Sequence, residues 1–279
     1  MTRPLYVSSG AFIGRTNGFS PDGFLSLCRE FDCDGFEFMF YRAWYPELDA
    51  ILSRFLAAGV SFATLHCDKT IGEGFSSGDP AEYARALALF RENCRAAAKL
   101  GARLLVLHLW NGLPSDKNFA RHLDALSDLY KIASEYDLTL TVENVICAVS
   151  DPLTRLGEIA ARYPAARFTY DTKMAAFHSQ TAEIATPARR PLSERIAHVH
   201  LNDFGGVPGD FSDLRVLHLG EGRIDFAPFL SLLDGIHYSG AVTLECSCLS
   251  DGLLFPEKMK QSIRRAYAAQ TGKQKWYLL

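Results

Sequence analysis

Eight short, β-branched apolar runs punctuate this chain, and helical segments separate them. The runs occupy residues 5–9, 35–40, 61–66, 103–109, 138–143, 167–171, 196–201 and 241–246. Each is short and apolar enough to read as a parallel strand buried on both faces. The helix starts between them are written in cap chemistry. Asp79-Pro80 sets an N-cap acid before a first-position proline. The segment then runs to Leu100, and Gly101 stands where a left-handed C-terminal residue belongs. Asp151-Pro152 repeats the device ahead of a helix reaching Tyr163. Ser20-Pro21 does so ahead of a first helix whose buried face would be Phe24, Leu25, Leu27, Cys28 and Phe31. Residues 119–136 make another amphipathic helix, and two more follow Asp225 and Pro256.

Strand followed by helix, eight times over, predicts an α/β fold of the (β/α)8 TIM barrel type. The competing fold is a doubly wound open sheet, which usually carries a glycine fingerprint after its first strand. Here that turn reads Ser8-Ser-Gly-Ala-Phe-Ile-Gly14, which does not match. A chain of 279 residues suits one large barrel or two smaller domains. No Pro/Ser-rich linker or composition break divides it, so residues 1–279 are expected to form one domain. The glycine-rich stretch 202–219 is the longest loop and could cover a site.

A hydrophobic content of 48% suffices for a sizeable core, and the net charge of −3 gives no basic surface for nucleic acid. The seven cysteines (Cys28, Cys33, Cys67, Cys94, Cys147, Cys246 and Cys248) are odd in number and lack a C-x-x-C pair. They read as incidental thiols of a reducing compartment. Met1-Thr-Arg-Pro4 leads straight into an apolar strand, and the longest apolar stretch, 104–110, is too short for a bilayer. A cytoplasmic location without membrane attachment is the expectation.

Four of the runs end in an acid or an imidazole: Leu138-Thr-Leu-Thr-Val-Glu143, Arg167-Phe-Thr-Tyr-Asp171, Ile196-Ala-His-Val-His200 and Ala241-Val-Thr-Leu-Glu245. A buried strand should end apolar, because an unpaired carboxylate in a core is costly. If the strands share one barrel, their C-terminal ends converge and three carboxylates crowd together. A divalent ion (Mn, Zn, Co or Mg) would hold Glu143, Asp171, His200 and Glu245 as one set of ligands. Singly, each acid could instead be a strand-end partner of Arg or Lys.

The motifs Val142-Glu-Asn144, Tyr170-Asp171, His198-Val-His-Leu-Asn-Asp203 and Leu219-Gly-Glu-Gly-Arg-Ile-Asp-Phe226, in this order, resemble the xylose isomerase-like TIM barrels. The resemblance spans nearly the whole chain. That superfamily includes ketose 3-epimerases, inosose isomerases and dehydratases, and AP endonucleases. It implies that Glu143, Asp171, His200 and Glu245 bind one divalent metal ion. Many relatives carry a histidine where this chain has Met174. The nuclease branch adds an Asp-x-His pair where this chain has Leu214 and Val216, which argues against a three-zinc cluster; Asp213 and His218 lie nearby but out of phase.

Other residues are open to two readings. His66 and His108 end strands three and four, where relatives carry substrate-facing or metal-cluster histidines. They are equally readable as satisfied polar groups at a rim. Lys173 could steer a carbonyl oxygen or be a solvated lysine, and Arg215 could bind a substrate oxygen or lie on the surface. Trp44, Trp110 and Phe12 follow strand ends, where aromatic rings stack on sugars or simply pack. Within the seventh strand, His200 is assigned to the barrel interior and His198 to the helix side. Cys246 and Cys248 are expected to point at the helices.

The expected reaction is isomerisation or epimerisation of a keto sugar, keto-polyol or sugar phosphate. Glu143 and Glu245 would act as acid and base on opposite faces of a metal-stabilised enediolate. A dehydratase of an inosose-like substrate, with Lys173 or His66 protonating the leaving group, is the alternative. Less favoured are an AP endonuclease-like phosphodiesterase and a sugar-binding barrel without catalysis. The partner is a small sugar or polyol, and a homo-oligomer is open. The apolar tail 272–279 could dock on the barrel or on a second subunit.

Overall fold

The computed structural model describes residues 2–271, so the tail 272–279 and its expected docking lie outside the described residues. Eight strands close in sequence order into a parallel barrel. They are β1 (Leu5–Ser8), β2 (Gly35–Met39), β3 (Phe62–His66), β4 (Leu104–Leu107), β5 (Thr139–Glu143), β6 (Arg167–Asp171), β7 (Ile196–His200) and β8 (Val242–Leu244). Each falls on an expected run, so the (β/α)8 class stands.

Among the described residues the helices are α1 (Asp22–Leu27), α2 (Leu48–Ala57), α3 (Ile71–Ser76), α4 (Pro80–Leu100), α5 (Phe119–Ser134), α6 (Pro152–Arg162), α7 (Thr172–Phe177), α8 (Arg190–Ser193), α9 (Ala227–Gly235) and α10 (Pro256–Gln270). The caps before α4 and α6 behave as written, whereas at α1 Pro21 itself is the N-cap, without a side-chain cap bond, and the helix starts at Asp22. Asp79 accepts from the Ala81 amide, and Gly101 takes φ +79° at the end of α4. The first helix is shorter than expected: α1 gives way to a 3₁₀ turn over Cys28–Glu30. Phe24, Cys28 and Phe31 form one buried stripe at helical spacing, and Leu25 and Leu27, which flank it, are only half-buried. No helix among the described residues is long and apolar enough to cross a membrane.

Contacts divide the chain into two compact units, residues 37–169 and residues 1–36 with 170–279. Both dividing points fall inside strands, β2 and β6. In the 37–169 unit, β3, β4 and β5 pair in parallel, with Leu107 opposite Val142. Its core is aromatic, and Phe38 meets Phe55 and Phe62 edge-on at 5.0 and 5.3 Å.

In the other unit β8 pairs with both β1 and β7, and Tyr170 stacks on Phe229 at 4.8 Å. The 202–219 loop is pinned near its root rather than free. Asp203 bridges to Leu217 backbone to backbone, and its carboxylate accepts from the amides of Phe204, Gly220, Gly222 and Ile224 at 2.8–3.1 Å. Glycine is required at 222, because a Cβ there would lie 2.3 Å from Asp203 Oδ1. The Gly-Glu-Gly motif is therefore folded around the last residue of the His198–Asp203 motif.

Candidate active site

Side chains two apart on a strand share a face. That parity gives the strand ends of each unit two layers. His66, Glu143, Asp171, His200 and Glu245 form the upper positions, and Thr64, Thr141, Thr169, His198 and Thr243 lie two residues earlier on the same faces. All five of the lower residues are buried. They pair across strands: Thr64 with Glu37 at 3.2 Å, Thr141 with Thr169 at 2.6 Å, and His198 Nε2 with Thr243 Oγ1 at 3.0 Å. The assignment of His198 to the helix side is thereby corrected. His198 shares its face with His200, and their ring centroids lie 5.1 Å apart. The correction is one of parity, since neighbours i and i+2 never split between faces of a regular strand.

In the 170–279 stretch, Asp171, His200 and Glu245 come together, each offering a ligand atom within 4.8 Å of the others. Asp171 is the N-cap of α7: its Oδ1 accepts from the Met174 amide at 2.9 Å, and its Oδ2 accepts from the side-chain Nδ2 of Asn202 at 2.8 Å. Met174 thus contributes its backbone amide. His200 Nδ1 lies 3.2 Å from Glu245 Oε2. Asn202 ties the cluster together, because its Oδ1 also accepts from the Glu245 amide at 3.2 Å. The Thr172 hydroxyl fixes Asn202 in turn, donating to its carbonyl at 2.6 Å and accepting from its amide at 2.9 Å. Sequence reasoning missed Asn202. Its signal was the residue's place two after His200, at a buried strand end where a free amide is costly.

In the 37–169 unit, His66, His108 and Glu143 make a second group with ligand atoms within 4.8 Å of one another, all three buried. Glu143 Oε2 faces His108 Nε2 at 2.8 Å and His66 Nε2 at 3.3 Å. His66 Nδ1 lies 2.8 Å from the Cys67 carbonyl, which can only accept, so that nitrogen carries the proton. His108 Nδ1 faces the Asn111 carboxamide oxygen at 3.3 Å, while the Asn111 amide donates to Glu73 at 3.1 Å. Burial pushes His108 down to about 4, against the opposing pull of Glu143. With Nδ1 turned to the Asn111 oxygen, His108, neutral after burial, directs its Nε2 at the Glu143 carboxylate. Such an arrangement calls for a proton or a metal ion between them.

Other expected substrate contacts fare differently. Trp110 is fully buried, its Nε1–H donating to the Val145 and Ile146 carbonyls at 3.1 and 3.2 Å and its ring edge-on to Phe119. It offers no stacking face, because packing and both hydrogen bonds consume the side chain. Trp44 and Phe12 are core residues too, 4% and 0% exposed. Arg215 is exposed and paired with Asp213 at 2.5 Å, two residues away on the loop. Lys173 is half-buried in the first turn of α7. It sits near enough to Cys246 for its charge to work against the burial that pushes that thiol up. Asp213 also accepts from the Val207 amide, and His218 is held by Ser262 and the Ser247 carbonyl. Neither is aimed at a strand-end cluster.

A closed parallel barrel with acids and imidazoles at its strand ends is the architecture of TIM-barrel enzymes. The chain belongs to the xylose isomerase-like TIM barrel family, whose model matches residues 25–269. It is 26% identical over 208 residues to the uncharacterized protein MJ1311 of Methanocaldococcus jannaschii, covering 67% of each chain. Among solved structures it resembles an L-ribulose 3-epimerase (17% identity, TM-score 0.70, covering 98% of this chain and 93% of that one). It also resembles the IOLI protein with a zinc atom bound (17% identity, TM-score 0.73, covering 97% and 98%). The 3-keto-D-glucoside 4-epimerase YcjR of E. coli is a third neighbour (15% identity, TM-score 0.67, covering 96% and 100%). Sugar epimerases thus recur among the structural relatives, and one relative holds a metal.

Proposed function

We propose that this protein is a divalent-metal-dependent isomerase or epimerase of a keto sugar, keto-polyol or sugar phosphate. The observation that carries the reading is the Asp171, His200 and Glu245 cluster laced by Asn202. Two largely buried acids beside an imidazole suit a cation and are costly without one. Their oxygen and nitrogen donors fit Mn, Co, Zn or Mg. Glu143 ends β5, the strand before β6 in the closed order, and completes the proposed ligand set of Glu143, Asp171, His200 and Glu245. Barrel active sites gather at the C-terminal strand ends, which supports this grouping. The sugar epimerases among the neighbours support the reaction class.

The bound cation would polarise a substrate carbonyl and make the adjoining C–H acidic. Proton handling then falls to the chain's own carboxylates. Glu143 is suited to it, because two imidazole nitrogens bracket Oε2 and a proton can be held or passed there. Glu245 is assigned the opposite face. Asp171, whose oxygens are engaged by a helix N-terminus and by Asn202, is assigned to holding rather than to transfer. Return of the proton to the other face is epimerisation; return to the neighbouring carbon is isomerisation. His66, His108 and Lys173 are the proposed substrate-facing side chains, and Arg215 would have to leave Asp213 to join them.

The first test is elemental analysis of metal per chain on untagged protein prepared without chelator, followed by a keto-sugar screen in D2O. About one ion per chain, lost in Glu143→Gln, with solvent deuterium entering the product, supports the reading. Turnover without deuterium sinks the proton-transfer mechanism. A multi-metal phosphodiesterase draws support from the His66, His108 and Glu143 group. It would require close to three zinc ions per chain despite Leu214 and Val216.

A further inference from the structure

The loop that follows Glu143 is bound along its length to the segment that follows β4. It begins at the acid itself, since the Val145 amide donates to the Glu143 carbonyl at 2.8 Å. Trp110 holds the near end through the Val145 and Ile146 carbonyls, and the Ser115 hydroxyl adds a bond to Ile146 at 3.3 Å. Asp116 holds the far end. Its Oδ1 accepts from the amides of Ala148 and Val149 at 2.8 and 2.9 Å, and its Oδ2 from that of Ser150 at 3.0 Å. Three successive backbone N–H groups thus converge on one carboxylate, 1% exposed. Arg155 of α6 closes the arrangement, with Nε and Nη2 each 2.9 Å from Asp116 Oδ2 and its guanidinium over the Phe119 ring at 4.5 Å. Burial works to raise Asp116, yet the Val149 amide, Arg155 and the Ala148 amide hold it below the usual range. The carboxylate therefore stays charged.

Between these two anchors Gly112 and Leu113 are exposed, Leu113 92% so, and Gly112 and the buried Ser115 take φ +65° and +41°. So many bonds to a stretch otherwise lacking regular structure need a reason. Loops at barrel mouths are ordinarily the mobile part of the fold. A ligand or base carboxylate, however, must be held to within about 0.5 Å to act.

We propose that Asp116 is a positioning residue for Glu143: by clamping residues 145–150 it sets where the Glu143 carboxylate stands. The inference rests on the proposed metal reading of Glu143. The Asp116 carboxylate is engaged by loop amides and by Arg155. It acts through the loop backbone, and Trp110 shares the task from the other end.

The experiment is a titration of the full chain with Co²⁺ alone, reading affinity and the visible d–d bands, which report coordination geometry. Asp116→Asn keeps the size but turns an N–H donor toward the Ser150 amide and Arg155, breaking the clamp. The expected result is a folded variant with about tenfold weaker Co²⁺ binding and altered bands, the scale of effect seen when outer partners of ligands are lost. Trp110→Phe keeps the ring packing and removes only the bonds to Val145 and Ile146. It should weaken binding about threefold, and it serves as the deciding variant if Asp116→Asn does not fold. Wild-type affinity and bands in the folded Asp116→Asn protein, or in Trp110→Phe where that is the deciding variant, overturn the inference alone. Absence of Co²⁺ binding in the wild type sinks the metal reading and this inference with it.

Discussion

Glu143 and Asp171 end adjacent strands of the barrel, yet their surroundings are built from different chemistry. Asp171 is held by fixed donors, the Met174 amide at a helix N-terminus and the Asn202 carboxamide. Neither donor gains or loses a proton in the physiological range, so these two bonds persist as the pH changes. Glu143 is faced by His66 and His108 Nε2 at 3.3 and 2.8 Å, ring nitrogens that can serve as donor or acceptor. On the proposed reading the difference separates two jobs that look alike in sequence: Asp171 would hold a charge in place, and Glu143 would exchange a proton.

The largest effect that can break this comparison comes from the acids themselves. Glu143→Gln and Glu245→Gln should each lower kcat by about 10³, within the range for loss of a general acid or base. Deuterium wash-in at the reacting carbon should fall in step. Asp171→Asn should instead act through metal affinity, with kcat largely restored at saturating metal. If Asp171→Asn and Glu143→Gln gave the same unrecoverable loss, the division of labour would be wrong.

Asn202 gives the next effect. Asn202→Ala frees Asp171 Oδ2 and the Glu245 amide together, and metal binding should weaken about 10- to 100-fold by isothermal titration. Asn202→Asp would place a carboxylate against Asp171 and should be worse than alanine in apo protein. Full metal affinity in Asn202→Ala would show that the strand ends alone position the cluster.

Much of this was legible in the chain. Cap residues such as Asp79 and Asp151 fix helix starts through short-range bonds, and both are used as written. The four strand-end acids and imidazoles stood out because burial of such groups is anomalous. What escaped was the partner of each anomaly. Asn202 and Asp116 make bonds 30 or more residues away in sequence; the place of Asn202 two after His200 was a signal, but no local pattern names the partner such a bond will close on. Trp110 shows the converse case. Its position after a strand end left a sugar face and simple packing both open, and tertiary packing decided for the second. The lower layer of Thr64, Thr141, Thr169, His198 and Thr243 was available from parity alone, since each precedes a strand-end side chain by two. Reading His198 as opposed to His200 concealed it.

The smallest effect concerns stability, and it sharpens the contrast between a histidine at the site and one away from it. Burial pushes His108 and His122 each down to about 4 from the usual 6.5. His122 lies in α5 with its Nε2 3.2 Å from the Gly72 carbonyl. A folded-state value below the unfolded one means the unfolded chain binds more protons between the two. Stability is therefore fully present above about pH 6.5 and drains away as the pH falls toward 4. The full shift amounts to roughly 3 kcal/mol as an upper bound. In His122→Gln, which keeps a donor for the Gly72 carbonyl but cannot protonate there, Tm should fall less between pH 6.5 and 4 than in the wild type. The difference should be visible in thermal melts by circular dichroism, while the pH dependence of turnover stays unchanged. His108→Gln should flatten the same limb and also alter the pH profile of activity, because its Nε2 stands against Glu143. Identical activity profiles for the two variants would mean that the imidazole facing Glu143 takes no part in its proton traffic, and that the two histidines differ only in address.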